Sequence, residues 1–212
     1  MKNIFTIAAI FIILACTSTT TFAKTYKGYI MTKEGEKVNG KIKARNVTID
    51  QVKITFITDG KKKTYKPKNI QGYGYEHLGE NQFGETVYTW RHYRSKMAQS
   101  FAPRPFTSKH VFMEIMEEGD VTIYDYYVES PSDIKNPYKR FFYVERNGDN
   151  ELIEFSKENF VTAAKSFFAD APELASKIGK INHRFRHAYR IVQLYNKQQK
   201  QTASKVDERF PF

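Results

Sequence analysis

Cysteine is almost missing: Cys16 is the only one among 212 residues, so the body that follows has none. That removes disulfides, thiol nucleophiles and zinc–thiolate sites, and leaves stability to the core alone. Walker loops, G-x-G-x-x-G and G-x-S-x-G are absent as well, which takes away the usual phosphate cradles and the nucleophile elbow. Beyond residue 23 no apolar run approaches the roughly 20 residues that span a bilayer as a helix. Carboxylates are in deficit, 23 against 34 Lys and Arg, for a net charge of +11. Such a surplus suits anionic partners, namely nucleic acid, lipid headgroups or acidic glycans. It equally suits a plainer use, in which lysines keep a sheet soluble and its edges unpaired.

What is present begins with an address. Met1-Lys2-Asn3 is a short positive start, Ile4–Ala15 is apolar except for Thr6, and small residues lead to Thr21-Phe22-Ala23. A charged start, a short greasy centre and small residues at the cut site describe a secretory signal peptide cleaved after Ala23. Cys16 follows Ile13-Leu14-Ala15, which resembles a bacterial lipobox, so lipidation at Cys16 is the alternative processing route. Residues 1–23 are therefore set apart from the fold. Export also disfavours genomic nucleic acid as a partner.

The body reads mainly as β-structure. In Val111–Tyr126, apolar side chains alternate at Val111, Met113, Ile115, then Val121 and Ile123. Strands send alternate side chains to opposite faces. Glu117-Glu118-Gly119 is expected to form the turn, with Gly119 left-handed, placing Ile115 opposite Val121 and Met113 opposite Ile123. This hairpin is taken as the centre of the sheet. Before it, Tyr26–Ile30, Val38–Ile42, Val52–Phe56, Lys63–Tyr65 and Ile70–Gly74 read as five short strands, with tight turns at Gly35 and Asp59-Gly60. Glu85–Tyr93 alternates weakly, and Arg94–Ser108, with Pro103 and Pro105, reads as a loop. Lys139–Arg146 and Glu151–Phe155 form a second hairpin around Asn147-Gly148.

The five short strands resemble SH3-like and Sm-like small barrels in their spacing of glycines and apolar residues. The RNA-contacting residues of Sm proteins have no match, so none is carried over. Over most of the body, the runs G-Y-I-M-T-K-E-G-E-K-V-N-G-K-I-K at Gly28–Lys43, F-M-E-I-M-E-E-G-D-V-T-I-Y at Phe112–Tyr124 and F-F-A-D-A-P-E-L at Phe167–Leu174 resemble an uncharacterised family of exported proteins of Bacteroidetes-type bacteria. The resemblance implies export and architecture, and no catalytic residue.

Helical spacing takes over near the end. Ser156 is expected to cap a helix through Phe160, Ala164 and Phe168, and Asp170 to cap a short one ending near Gly179. A last helix is expected from about Ile181 to Lys200, with Ile181, Phe185, Ala188, Val192 and Tyr195 as its apolar stripe. Its other side carries Lys180, His183, Arg184, Arg186, His187 and Arg190. Lys180, Arg184, Arg186 and Arg190 are the candidate anion-binding set. His183 and His187 stand four apart, but Arg184 occupies the place where metalloproteases have glutamate, and two ligands on a basic face fall short of a metal site.

Three other groups invite attention. Glu114, Glu117, Glu118, Asp120 and Asp125 include possible carboxylate pairs for glycoside hydrolysis, although no sequence spacing fixes the separation that this chemistry needs. Tyr124, Tyr126, Tyr127, Tyr138, Phe141, Phe142 and Tyr143 would stack on sugars or bases if exposed, and make core if buried. Lys61-Lys62-Lys63 sits at a hairpin tip, as a phosphate contact or a solvated turn.

The expectation is an α+β protein: an N-terminal small β-barrel-like module (24–77), an antiparallel β-meander (78–156), C-terminal helices packed on the sheet (157–200) and a flexible tail (201–212). No cofactor and no metal is implied. The leading functional expectation is an exported envelope protein, periplasmic or extracellular, or lipid-anchored through Cys16, that acts as a non-catalytic binding or structural module. The alternatives are polyanion binding through the basic C-terminal helix, to lipid headgroups or glycans, and a hydrolase with carboxylates in an inter-module cleft.

Overall fold

The computed structural model describes residues 24–80, 85–98, 109–130, 132–133, 135–149 and 151–209; of residues 80, 109 and 202–209 only the backbone is described. Cys16 and Ala23 lie outside the described residues, as does most of the proline-bearing stretch before Lys109. Ten antiparallel strands make one open sheet, with helices added at the C-terminal end. The strands are β1 (Lys24–Met31), β2 (Lys37–Ala44), β3 (Ile54–Thr58), β4 (Lys61–Tyr65) and β5 (Gly72–Glu80). They continue as β6 (Thr86–Ala98), β7 (Lys109–Glu117), β8 (Val121–Glu129), β9 (Tyr138–Arg146) and β10 (Ile153–Phe155). Their spatial order is β10-β9-β8-β7-β6-β5-β1-β2-β3-β4.

The α+β expectation is met, with the barrel-like module appearing as the bent end of a sheet that stays open at β4 and β10. Asp59 and Gly60 both have positive φ, 49° and 73°, as a two-residue hairpin requires. β5 pairs with β1 on one side and along its whole length with β6 on the other. A single helical turn, α1 (Val47–Asp50), capped by Asn46 Oδ1, fills the link between β2 and β3. Beside it the Gln51 side chain bonds both Tyr127 N and Tyr127 O at 2.8 Å, so the N-terminal strands are fastened to β8.

Directly paired residues share a face, so the registers can be followed across strands. Ile30, Tyr73, Tyr93, Glu114, Asp125 and Phe142 form one row across β1, β5, β6, β7, β8 and β9. On this face one core gathers Ile30, Ile42, Ile54, Phe56, Tyr73, Tyr75 and Phe112 inside the bend. A second core on the same face packs Val121, Ile123, Phe142 and Val144 under the helices. The opposite face holds a third cluster, with Val111, Met113, Tyr124 and Tyr143 buried.

The central hairpin differs from expectation. Ile115 lies opposite Tyr124, not Val121, and the register slips between Ile115 and Glu117 with Met116 as the extra residue. The shift carries Met113 and Ile115 to the face away from Val121 and Ile123, because an odd slip exchanges the two faces. A contact from far along the chain accompanies it. Asn196 Oδ1 accepts from Val121 N and Asn196 Nδ2 donates to Val121 O, both at 2.9 Å, so a side chain takes the place of a strand partner. Gly119 is not left-handed. It is glycine for another reason: a Cβ there would fall 2.6 Å from Asn196 Nδ2.

The helices are α2 (Phe160–Phe167), α3 (Pro172–Ala175) and α4 (Ala188–Arg209). Ser156 does not cap α2 directly; it exchanges hydrogen bonds with Asn159, which precedes the helix. Asp170 caps nothing, because its carboxylate accepts from Arg146 and from Tyr195 OH. The expected start of the last helix at Ile181 is wrong. Residues 180–184 are turn, Phe185–His187 is one 3-10 turn, and α4 runs on to Arg209, beyond the expected end. Ile181 is consequently 76 % exposed, while Ala188, Ile191, Val192 and Tyr195 are buried. No described helix is long and apolar enough to cross a membrane.

Candidate functional site

On the face away from the helices, β5 contributes glycine where its neighbours contribute rings. The row Tyr29–Gly74–His92 crosses β1, β5 and β6, and the next row is Met31–Gly72–Arg94. A Cβ on Gly74 would stand 2.6 Å from the Tyr29 ring, so only glycine lets that ring lie across the strand. Tyr29 OH thereby reaches His92 Nδ1 at 2.7 Å. Trp90 stacks on His92 with centroids 5.9 Å apart and planes at 9°, and lies 5.9 Å from Tyr29. Lys37 Nζ covers Tyr29, 4.3 Å from the ring centroid. Trp90 is 43 % exposed, and Tyr88, two residues back on the same face of β6, is 71 % exposed.

Beside these rings is a cleft of about 600 Å³, lined among others by Tyr29, His92, Lys33, Gln71, Arg94 and Glu118. That volume is in the range of small-ligand sites. Burial, with Glu118 nearby, holds the Tyr29 hydroxyl above its ordinary pKa despite the opposing pull of Arg94. Burial and Lys37 hold the His92 imidazole below its ordinary value. At neutral pH the phenol and the imidazole are therefore both neutral and share one hydrogen bond, whose direction is set by the His92 tautomer. Arg94 Nη2 donates to Glu118 Oε1 at 2.5 Å and Nη1 to Tyr124 OH at 2.9 Å. These bonds fix the guanidinium at the cleft wall.

The acidic residues singled out in the sequence are only partly brought together. Glu114 and Asp125 lie directly opposite each other at the junction of the two cores on the helix face. Arg91 Nε stands 3.2 Å from Glu114, and Arg140 grips Asp125 through two hydrogen bonds of 2.8 and 2.7 Å. Burial, with Asp125 adding to it, raises the Glu114 carboxyl pKa against the pull of Arg91. Each carboxylate is thus neutralised by its own arginine. Glu117 accepts from Gln193, Glu118 from Arg94, and Asp120 is exposed. Of the aromatic crowd, Tyr124, Phe142 and Tyr143 are buried and Tyr126, Tyr127 and Phe141 half-buried, so the group is chiefly core, with Tyr138 exposed. Lys61, Lys62 and Lys63 are exposed on the edge strand β4.

The candidate anion-binding residues fall on a turn rather than on one helix face. Lys180, Arg184, Arg186 and Arg190 are all exposed, and only Arg190 belongs to α4. Among the described residues no carboxylate forms an ion pair with any of the four. Desolvation and then Arg186, Arg190, His183 and Arg184 lower the pKa of His187, so these cations sense one another. His183 and His187 lie off α4, and no group of three or more metal-ligating side chains occurs among the described residues.

Sequence reasoning passed over the Tyr29–Trp90–His92 cluster. Its signal was present, with Tyr88 and Trp90 on one face of a strand and glycines at 72 and 74, but pairing those strands required the register. No protein family, curated protein or solved structure matches this chain.

Proposed function

We propose that the protein is an exported envelope module that binds a ligand without converting it, and that the ligand occupies the cleft beside Tyr29, Trp90 and His92. The observation that carries this reading is the ring cluster around Gly74, in which Tyr29 and His92 line a cleft of about 600 Å³ and Trp90, stacked on His92, is 43 % exposed. Large aromatic faces are normally buried for their apolar area, so Trp90 and Tyr88, left exposed on one face of β6, suit stacking on a partner. The export expectation rests on the N-terminal residues alone.

Trp90 is the sole tryptophan, so its fluorescence reports this site without interference. Emission is to be followed while neutral pyranose oligosaccharides, heparin or phosphatidylglycerol vesicles are added, with product analysis alongside. A saturable change with one of these probes, and no product, supports the reading. An emission spectrum indifferent to all three would remove it.

A second reading, polyanion binding through Lys180, Arg184, Arg186 and Arg190, is favoured by the absence of carboxylate partners for those four among the described residues. Its mark is affinity that falls steeply with salt.

A further inference from the structure

We infer that the segment from Lys180 to Arg190 docks on an anionic lipid bilayer, with Ile181 entering the acyl boundary and Arg184, Arg186 and Arg190 on the lipid phosphates around it; this rests on the polyanion reading of the same cations. The geometry of the turn comes first. His183 N donates to Lys180 O at 3.0 Å and Gly179 N to His183 O at 2.8 Å, so the chain folds back on itself here. Asn182 takes the positive φ, 65°, that the third residue of such a turn needs, which puts Ile181 at the corner. Both flanks are fastened to the core. Ile178 is buried, and the Phe185 ring lies 5.1 Å from Phe142 and 5.9 Å from Phe160. The turn between them stands clear of that core, and Ile181 is 76 % exposed, the most exposed large apolar side chain among the described residues.

Positive charge accompanies this tip. From Leu174 to Lys200 the chain has no Asp or Glu. Lys180 directly precedes Ile181, and desolvation and then the charges of Arg186, Arg190, His183 and Arg184 lower the pKa of His187, which stands among them. Lys180, Arg184, Arg186 and Arg190 form no ion pair among the described residues. The combination selects the ligand. A soluble polyanion offers charge alone and has no use for an isoleucine amid its cations. An anionic leaflet offers phosphates at its surface and an apolar layer just beneath, which suits basic side chains beside an apolar one that enters. Tyr189, 40 % exposed at the start of α4, has a ring and a hydroxyl that suit the headgroup level. One exposed isoleucine is ordinary by itself. Its place at a turn corner beside unpaired cations is what carries the inference.

The test is cosedimentation of the whole chain with vesicles of phosphatidylcholine alone or mixed with phosphatidylglycerol, at low and high salt. Heparin binding is the soluble polyanion arm. Wild type and variants share residues 1–23, so differences between them report the 180–190 segment. The expected result is affinity for the mixed vesicles well above that for phosphatidylcholine alone, and falling with salt. Arg184→Glu, Arg186→Glu and Arg190→Glu together should weaken it about a hundredfold, each cation near an anionic leaflet being worth about fivefold. Ile181→Ser, at an exposed side chain, should weaken vesicle binding about tenfold and leave heparin binding as in wild type. Thermal unfolding at the wild-type temperature checks that each variant is folded. If charge reversal weakens both vesicle and heparin binding while Ile181→Ser changes neither, or weakens both alike, the bilayer assignment is wrong and the polyanion reading stands. If charge reversal changes neither, both fall together.

Discussion

Replacing Asp50 by asparagine should stabilise the fold more at neutral pH than near pH 4. Asp50 closes α1 and is 6 % exposed. Its Oδ2 accepts from Arg45 N at 2.8 Å, while Oδ1 is buried without a hydrogen-bond partner. Burial, outweighing the Arg45 backbone bond and the Arg45 charge, pushes its pKa up to about 6. An unfolded aspartate titrates near 3.9, so between those two values the folded chain holds a proton that the unfolded chain has lost. A raised acid of this kind penalises the folded state above its folded pKa and not below its unfolded one. Stability from this group therefore falls as pH rises from about 4 to about 6 and then levels. Two pKa units correspond to about 3 kcal/mol. The asparagine oxygen can keep the Arg45 N–H bond, and any packing cost of the new amide is the same at every pH. Urea unfolding of both proteins near pH 4 and above pH 7 isolates the charge, because the difference between the two differences cancels that cost. A double difference of about 2–3 kcal/mol in favour of Asp50→Asn at the higher pH is expected. An equal effect at both pH values would refute the claim that a buried, half-satisfied carboxylate sits there.

Gly74→Ala should displace the Tyr29 ring, with destabilisation of about 1–3 kcal/mol in urea unfolding and loss of the Trp90 response to ligand. Asn196→Leu removes both bonds to the Val121 backbone and leaves a buried N–H and C=O unpaired, so a loss of about 2–5 kcal/mol is expected by thermal or urea unfolding. Charge reversal of Arg184, Arg186 and Arg190 together should abolish salt-sensitive retention on heparin while leaving the Trp90 titration as in wild type.

Alternation and turn chemistry were enough to read nearly every strand. Val38 and Ile42, Ile54 and Phe56, and Phe142 and Val144 keep period two, and Asp59-Gly60 and Asn147-Gly148 mark their turns. The pairing of the central hairpin was not legible, because one extra residue, Met116, shifts its register and the Asn196 bond that takes a strand partner's place at Val121 comes from a helix 75 residues away. The start of the last helix was misread for a related reason. Ile181 and Phe185 have helical spacing, but Gly179 and Asn182 adopt positive φ and break the chain there. Asp170, a good cap by composition, is claimed by Arg146 and Tyr195. The site was the least legible part. Its rings come from β1 and β6, meet across a glycine of β5, and are neighbours only once the spatial order β6-β5-β1 is known. The carboxylates drew notice by their number, and the structure gives Glu114 and Asp125 an arginine each.

The account stands most directly on where a ligand touches the molecule. In a ¹⁵N spectrum Trp90 supplies the only indole N–H signal, and Gly72 and Gly74 report the strand beneath the rings. Titration with whichever probe moves Trp90 emission should shift the Trp90 indole together with the amides of Gly72, Gly74 and His92. Shifts confined to residues 184–190, or none at Trp90 at saturating probe, would contradict it.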